Sequence, residues 1–159
     1  MSITARVDDY LNAQDILFNT VQHSHSNSSV GSAIAARIPP MNIAKAVVLE
    51  DHEGRHLMAV LPADRKINIH KLEDSLDLTL HLVTEPKLYD MFKDCEQGAV
   101  PAVGQAYNMN AIYDEELGRL KDIYLEAGDH ETLIHLNREQ FDKLMINTMH
   151  TNFSNEELH

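Results

Sequence analysis

Two apolar runs meet across a short polar turn near the middle of the chain, and they restrict the fold more than any other stretch. Residues 45–49 (KAVVL) and 56–61 (HLMAVL) are β-type, and the turn between them, residues 50–55 (EDHEGR), contains Gly54. This is the pattern of a β-hairpin. A half-solvated antiparallel strand alternates apolar with polar residues, whereas these two runs are nearly continuous, so both of their faces should be covered. Helical spacing elsewhere supplies the cover. The expected fold class is therefore α/β, a compact single domain with a central mixed β-sheet and flanking helices.

The rest of the chain fits that frame. Apolar residues Ile3, Val7, Tyr10, Leu11, Leu17 and Phe18 predict a helix over 2–18 with one buried face. Residues 22–30 (QHSHSNSSV) read as a loop, because their side chains compete for backbone hydrogen bonds. A short Ala-rich helix over 31–37 follows, ended by Pro39 and Pro40. Further helices are expected over 69–76 and 86–92, and strands over 80–83, 111–113, 123–127 and 133–136. Asn137 should cap a last helix over 138–146. The globular domain is expected to occupy residues 1–146, and the polar tail, 147–159, to fray.

Charge limits the partners. Thirteen Lys plus Arg against 25 Asp plus Glu give a net charge of −12, so the chain lacks the global basic footprint of a dedicated nucleic-acid binder. A polyanion would have to be held locally or delivered by another protein. No apolar run approaches the roughly 18 residues of a membrane helix. The opening MSITARVDDY carries acids where a signal peptide needs a basic region. A cytoplasmic protein with no membrane partner is expected. The single cysteine, Cys95, rules out an internal disulfide and a four-cysteine zinc site.

Most routes to catalysis lack their residues. The ten histidines show no zinc-ligand spacing: His23 and His25 are two apart, His130 and His135 five apart, and His52 and His56 lie across the turn. No metal and no cofactor are expected. There is no G-x-S-x-G elbow and no glycine-rich phosphate loop, and Cys95 sits between Asp94 and Glu96, which disfavour a thiolate. A general small-ester hydrolase with an activated nucleophile is thus disfavoured.

Three features remain, each with two readings. Lys45 opens a buried strand, where it either presents an ammonium to an anion in a cleft or snorkels to water. The segment from Gly98 to Gly104 (GAVPAVG) lets backbone amides approach a ligand, or is an ordinary turn-rich connection. His130, in the turn Ala127-Gly-Asp-His-Glu131, either lines a pocket or is hydrated.

Taken in order, AKAVVL (44–49), MAVLPAD (58–64), GAVPAVG (98–104) and EAGDH (126–130) resemble the YbaK/prolyl-tRNA-synthetase-associated domain family, over about residues 7–144. The resemblance implies a compact α/β domain that removes wrong amino acids from tRNA, most typically alanine or cysteine from proline tRNA. It implies catalytic roles for Lys45, beside the 3′-terminal adenosine and the ester, and for Gly98 and Pro101, in the loop that positions the attacked carbonyl. Ala99, Val100 and Gly104 of that loop, Asp129 and His130 beside the amino-acid pocket, and His23 with Ser29 at its mouth would bind substrate. Arg37, Arg65 and Lys66 could form a local basic rim for tRNA. The implied reaction is ester hydrolysis by water with help from the substrate's ribose hydroxyl, which needs no protein nucleophile. The implied partner is the 3′ end of an aminoacyl-tRNA, delivered by a synthetase or an elongation factor. Ala46 stands where alanine-type relatives carry asparagine and cysteine-type relatives often carry threonine. A non-catalytic module that binds an aminoacyl ligand in the same pocket is the alternative.

Overall fold

The computed structural model describes residues 3–156. From the N-terminus run α1 (Ala5–Ala13), β1 (Asn19–Gln22), α2 (Ser29–Ala36), β2 (Ile43–Asp51) and β3 (His56–Pro62). Next come β4 (Arg65–Ile67), α3 (Ile69–Leu76), β5 (Leu80–Leu82) and α4 (Glu85–Met91). After the glycine-bounded loop follow β6 (Asn110–Asp114), β7 (Asp122–Glu126), β8 (Thr132–Asn137), α5 (Arg138–Leu144), β9 (Met149–Thr151) and β10 (Ser154–Glu156). The helices begin where side-chain acceptors allow. Thr4, Ser28, Asn68 and Asn137 accept the amides of Val7, Gly31, Lys71 and Gln140.

The expected hairpin is the centre of a mixed sheet. β2 and β3 pair antiparallel from Ala44↔Pro62 to Glu50↔His56, and the strand order is β1-β8-β7-β2-β3-β6-β9, with β5 also on β2. Both faces of the hairpin are covered, as its continuous apolar character requires. Met58 and Val60 enter one core with Val7 and Leu11 of α1 and Phe141 of α5, while Ala59 and Leu61 enter another with Leu72 of α3. A third, smaller cluster joins Ile43 to Ala33 of α2 and Leu133 of β8. The fold is a single mixed α/β domain with five α-helices among the described residues, as expected. No helix among them is long and apolar enough to cross a membrane.

One junction positions the site. β7 runs parallel to β2 with Ile43 opposite Tyr124 and Ala44 opposite Leu125. One residue further on each strand stand Lys45 and Glu126. Ala44 and Leu125 belong to the core containing α1, so alternation turns Lys45 and Glu126 toward the α2 side.

The segments that depart from the sequence reading do so at the ends. The first helix is α1 alone, because the chain reverses at Asp15 (φ +57°) and residues 19–22 pair with β8; Ser2 lies outside the described residues. The described part of the tail is built into the fold. β9 adds to the sheet beside β6, β10 pairs with β4, and Phe153 is wholly buried in the cluster of Leu61, Leu72 and Ile112. Phe153 N–H donates to Asp114 Oδ2 at 3.1 Å, and Phe153 O accepts from Asn68 N at 2.7 Å. One aromatic ring and edge-strand hydrogen bonds outweigh a polar composition that periodicity reads as loose; residues 157–159 lie outside the description.

Phe153→Ala should therefore cost about 3–5 kcal/mol of stability in chemical denaturation, the usual range for emptying a buried phenylalanine site. Loss of amide-exchange protection in β10 and β4 should accompany it.

Candidate active site

The turn between β7 and β8 is built to hold one histidine inside. Gly128 sits at φ +109°, strained for any other residue, and a Cβ there would lie 2.5 Å from Thr4 Cγ2, which would have to move. Asp129 Oδ1 accepts the amides of Glu131 (3.0 Å) and Thr132 (2.9 Å), and Oδ2 accepts the Thr132 hydroxyl at 3.0 Å. His130 follows at φ +57° with 2% of its side chain exposed. Its Nε2 lies 2.7 Å from Gln97 O, which ties the turn to the glycine-bounded loop.

That loop begins with a reverse turn, closed by Ala99 N–H donating to Glu96 O at 3.1 Å. Gly98 is its third residue at φ +80°, the position where a type II turn needs glycine. A Cβ on Gly98 would stand 3.2 Å from His130 Nε2. Among the described residues, the N–H groups of Gly98 and Val100 donate to no acceptor within the fold. They remain available to a ligand.

Two adjoining cavities share Gly98, Val100, Asn27 and Leu88 as walls. The larger, about 540 Å³, is bounded by His130, His25, Glu85, Glu96 and the apolar side chains Leu88 and Phe92. The smaller, about 310 Å³, is bounded by Lys45, Ala46 and the α2 N-terminus from Ser28 to Val30. Lys45 interrupts the apolar face that Ile43, Val47 and Leu49 share on β2, and its Nζ donates to Ala63 O at 3.3 Å. The combined cleft is thus cationic at the Lys45 end and acidic at the Glu85 and Glu96 end. His25 Nε2 lies 3.2 Å from both Glu96 carboxylate oxygens, and its ring meets His130 edge-on at 6.0 Å.

Beneath the cleft lies a buried polar cluster. Glu126, 1% exposed, accepts Ser32 Oγ at 3.0 Å and Ser29 Oγ at 3.4 Å, and its Oε2 is 3.4 Å from His130 Nδ1. Burial raises its pKa above the ordinary carboxylate value, and the His130 charge is the largest influence in the other direction. Cys95, at the cleft wall, has its thiol pushed up to about 12, first by burial and also by Asp94; its Tyr107 hydrogen bond pulls the other way.

The structure thus brings Lys45, Ser29, Gly98, Val100 and His130 to one cleft. Ala99 and Pro101 are buried behind it, and Gly104 packs against Met58, where a Cβ would meet Met58 Cβ at 3.3 Å. Asp129 serves its own turn. His23 donates from Nδ1 to Ser24 O at 2.7 Å and is not a wall of either cavity. Arg37, Arg65 and Lys66 border neither cavity, and Arg65 is bonded to Ser154 Oγ at 2.6 Å. Sequence reasoning missed His25, Glu126, Ser32 and the α4 wall. The Leu88–Phe92 spacing of four was the available signal for that wall.

Comparison with known proteins places these features in a family. The aminoacyl-tRNA editing domain model matches residues 23–144, a span that contains Lys45, the whole glycine-bounded loop and His130. A solved structure of a hypothetical protein is 16% identical, covering 94% of this chain and 99% of its own, with a TM-score of 0.83. A candidate trans-editing enzyme for prolyl-tRNA synthetase is 17% identical, covering 96% of each chain, with a TM-score of 0.80. A candidate signal-transduction protein of Marinobacter aquaeolei matches over 94% of this chain but 30% of its own, at 16% identity and a TM-score of 0.75. No curated protein matches.

Two outcomes follow from this geometry. Gly98→Ala should destabilise the domain by about 1–2 kcal/mol in urea unfolding, the cost of a left-handed non-glycine residue. Cys95 should react with iodoacetamide far more slowly at pH 8 than a free thiol does, since almost none of it is thiolate.

Proposed function

Because the chain belongs to the aminoacyl-tRNA editing domain family, we propose that it is a trans-acting deacylase that hydrolyses the ester of mischarged tRNA, with alanyl- or cysteinyl-tRNA for proline as substrate. The observation that carries this reading is the pair of available amides, Gly98 N–H and Val100 N–H, on a wall shared by a lysine-bearing cavity and a carboxylate-bearing one. An aminoacyl ester carries charges in the same order. Phosphate and ribose lie on one side of its carbonyl, and an ammonium lies on the other. The Lys45 ammonium suits the adenosine end, and Glu85 with Glu96 suits the amino group.

The chemistry asked of the protein is modest. An ester is already activated, so holding it and stabilising the oxyanion supplies most of what hydrolysis needs. The Gly98 and Val100 amides meet the developing negative charge, water attacks the carbonyl, and the ribose hydroxyl of the substrate assists the proton transfer. This division of labour accounts for a protonated Cys95 and for a cleft without a serine–histidine pair. Side-chain volume sets the amino acid removed. Ala46, without a polar group, leaves the choice to the apolar wall of Leu88, Phe92 and Val100.

The net charge of −12 opposes long-range capture of tRNA. Delivery of the 3′ end by a synthetase or elongation factor is proposed for that reason, with Arg37 and Lys66 as the rim cations that meet the acceptor stem.

The test is amino-acid release from alanyl-, cysteinyl- and seryl-tRNA for proline by wild type and by Lys45→Ala. Fast release of one amino acid, slowed about a hundredfold in the variant, is the expected result. Tight binding of a non-hydrolysable aminoacyl-adenosine analogue without turnover of any ester would make the protein a binding module.

A further inference from the structure

The buried acid at the end of β7 is not used by the reaction just described, yet it stands 3.4 Å from a histidine whose other ring nitrogen is hydrogen-bonded to the peptide that carries the Gly98 amide. His130 Nε2 lies 2.7 Å from Gln97 O, and a carbonyl only accepts, so this nitrogen carries a hydrogen. Nδ1 of the same ring lies 3.4 Å from Glu126 Oε2, within ion-pair range though outside hydrogen-bond geometry, and has no other acceptor or donor beside it. The two side chains are 2% and 1% exposed. Glu126 takes hydroxyl hydrogens from Ser32 and Ser29, as an ionised carboxylate does.

A bare lone pair on Nδ1 facing that carboxylate would set two acceptors against each other in a dry, low-dielectric site, which is costly. A proton on Nδ1 removes the conflict and gives the buried carboxylate a charged partner. Two neighbours favour the same state: His23 favours the ionised form of Glu126, and Glu96 faces the cleft side of the histidine pair through His25, while Lys45, at the adjacent register position on the α2 side, carries a charge of the same sign as the imidazolium.

The consequence lies one bond further. Gln97 C=O and Gly98 N–H belong to a single peptide group, so a charged hydrogen bond to the oxygen draws electron density from the nitrogen and makes its N–H a stronger donor. We propose that Glu126 is a positioning residue for deacylation: it keeps a proton on His130 Nδ1, and the charged His130 both fixes and polarises the Gln97–Gly98 peptide that meets the oxyanion. This rests on the deacylase reading above.

The experiment uses the full chain labelled with 15N-histidine. Two-bond proton–nitrogen correlation at pH 7 should show His130 protonated on both ring nitrogens in wild type, with the signal assigned by its absence from His130→Asn. In Glu126→Gln, whose amide can donate to Nδ1, His130 should carry hydrogen on Nε2 alone. The single-turnover deacylation rate of Glu126→Gln should fall about tenfold with KM within about twofold, a weakened rather than deleted oxyanion donor. Glu126→Asp, which keeps the charge but not the shape, should retain more rate than Glu126→Gln; a packing role gives the opposite ranking. A neutral His130 in wild type, or a wild-type rate in Glu126→Gln, overturns the proposal, and the first of these is read without any variant of Glu126. Wild type that deacylates no mischarged tRNA refutes the deacylase reading instead, while the nitrogen spectrum still decides where the proton sits.

Discussion

The parallel pairing of β7 with β2 spans only Ile43↔Tyr124 and Ala44↔Leu125, and the rest of the site depends on where it stops. Beyond it the two strands diverge, one into the Gly128–His130 turn and the other into the buried hairpin. The gap between them is closed by the α2 N-terminus and the Gly98 turn. A cleft forms there because three segments from distant parts of the chain each end at the same point, and none of them can fill it. Gly98 and Gly128, both at positive φ, let the His130 ring and the Thr4 methyl approach the backbone where a Cβ would crowd them.

This arrangement separates two requirements that often conflict. Under the proposed function the cleft presents unpaired amides to a ligand, which costs stability when they are buried. Meanwhile the groups behind it must be satisfied. The buried cluster of Glu126, Ser32, Ser26 and His130 satisfies almost every polar atom, and Gly98 itself is exposed. Around the site, the hydrogen-bonding capacity left over is the Gly98 and Val100 N–H groups of the cleft wall and, inside, Nδ1 of His130 and Nε2 of His23. Under the proposed function the two amides are preorganised donors, in place before charge develops.

Much of the fold was legible in the sequence. The hairpin, helix α3, helix α5 with its Asn137 cap and the covered character of the sheet all follow from local periodicity and capping chemistry, which need no knowledge of neighbours. The edge strands β1, β9 and β10 were not legible. Each is three or four residues long and polar, and it is a strand only because a partner's free edge lies beside it. Phe153 is the instructive case: one apolar residue in a polar tail has no period, and its burial depends on a pocket built by β3, α3 and β6.

The site divides the same way. Lys45, Gly98 and His130 are unusual for their local context, and so the amino-acid order alone brought them forward: a lysine in an apolar strand, a glycine-bounded loop, a histidine in a tight turn. Glu126 was invisible as one of 25 acids at the end of a strand, because nothing local says that a carboxylate will be 1% exposed. His23 and Asp129 show the converse, polar residues that hydrogen-bond within their own turns and wall neither cavity. Sequence by itself determined which backbone conformations and which apolar faces this chain must have, since those depend on neighbours a few residues away. Only the tertiary structure decided which charges lose their water and which amides keep no partner, because both depend on what distant segments bring to the same few ångströms.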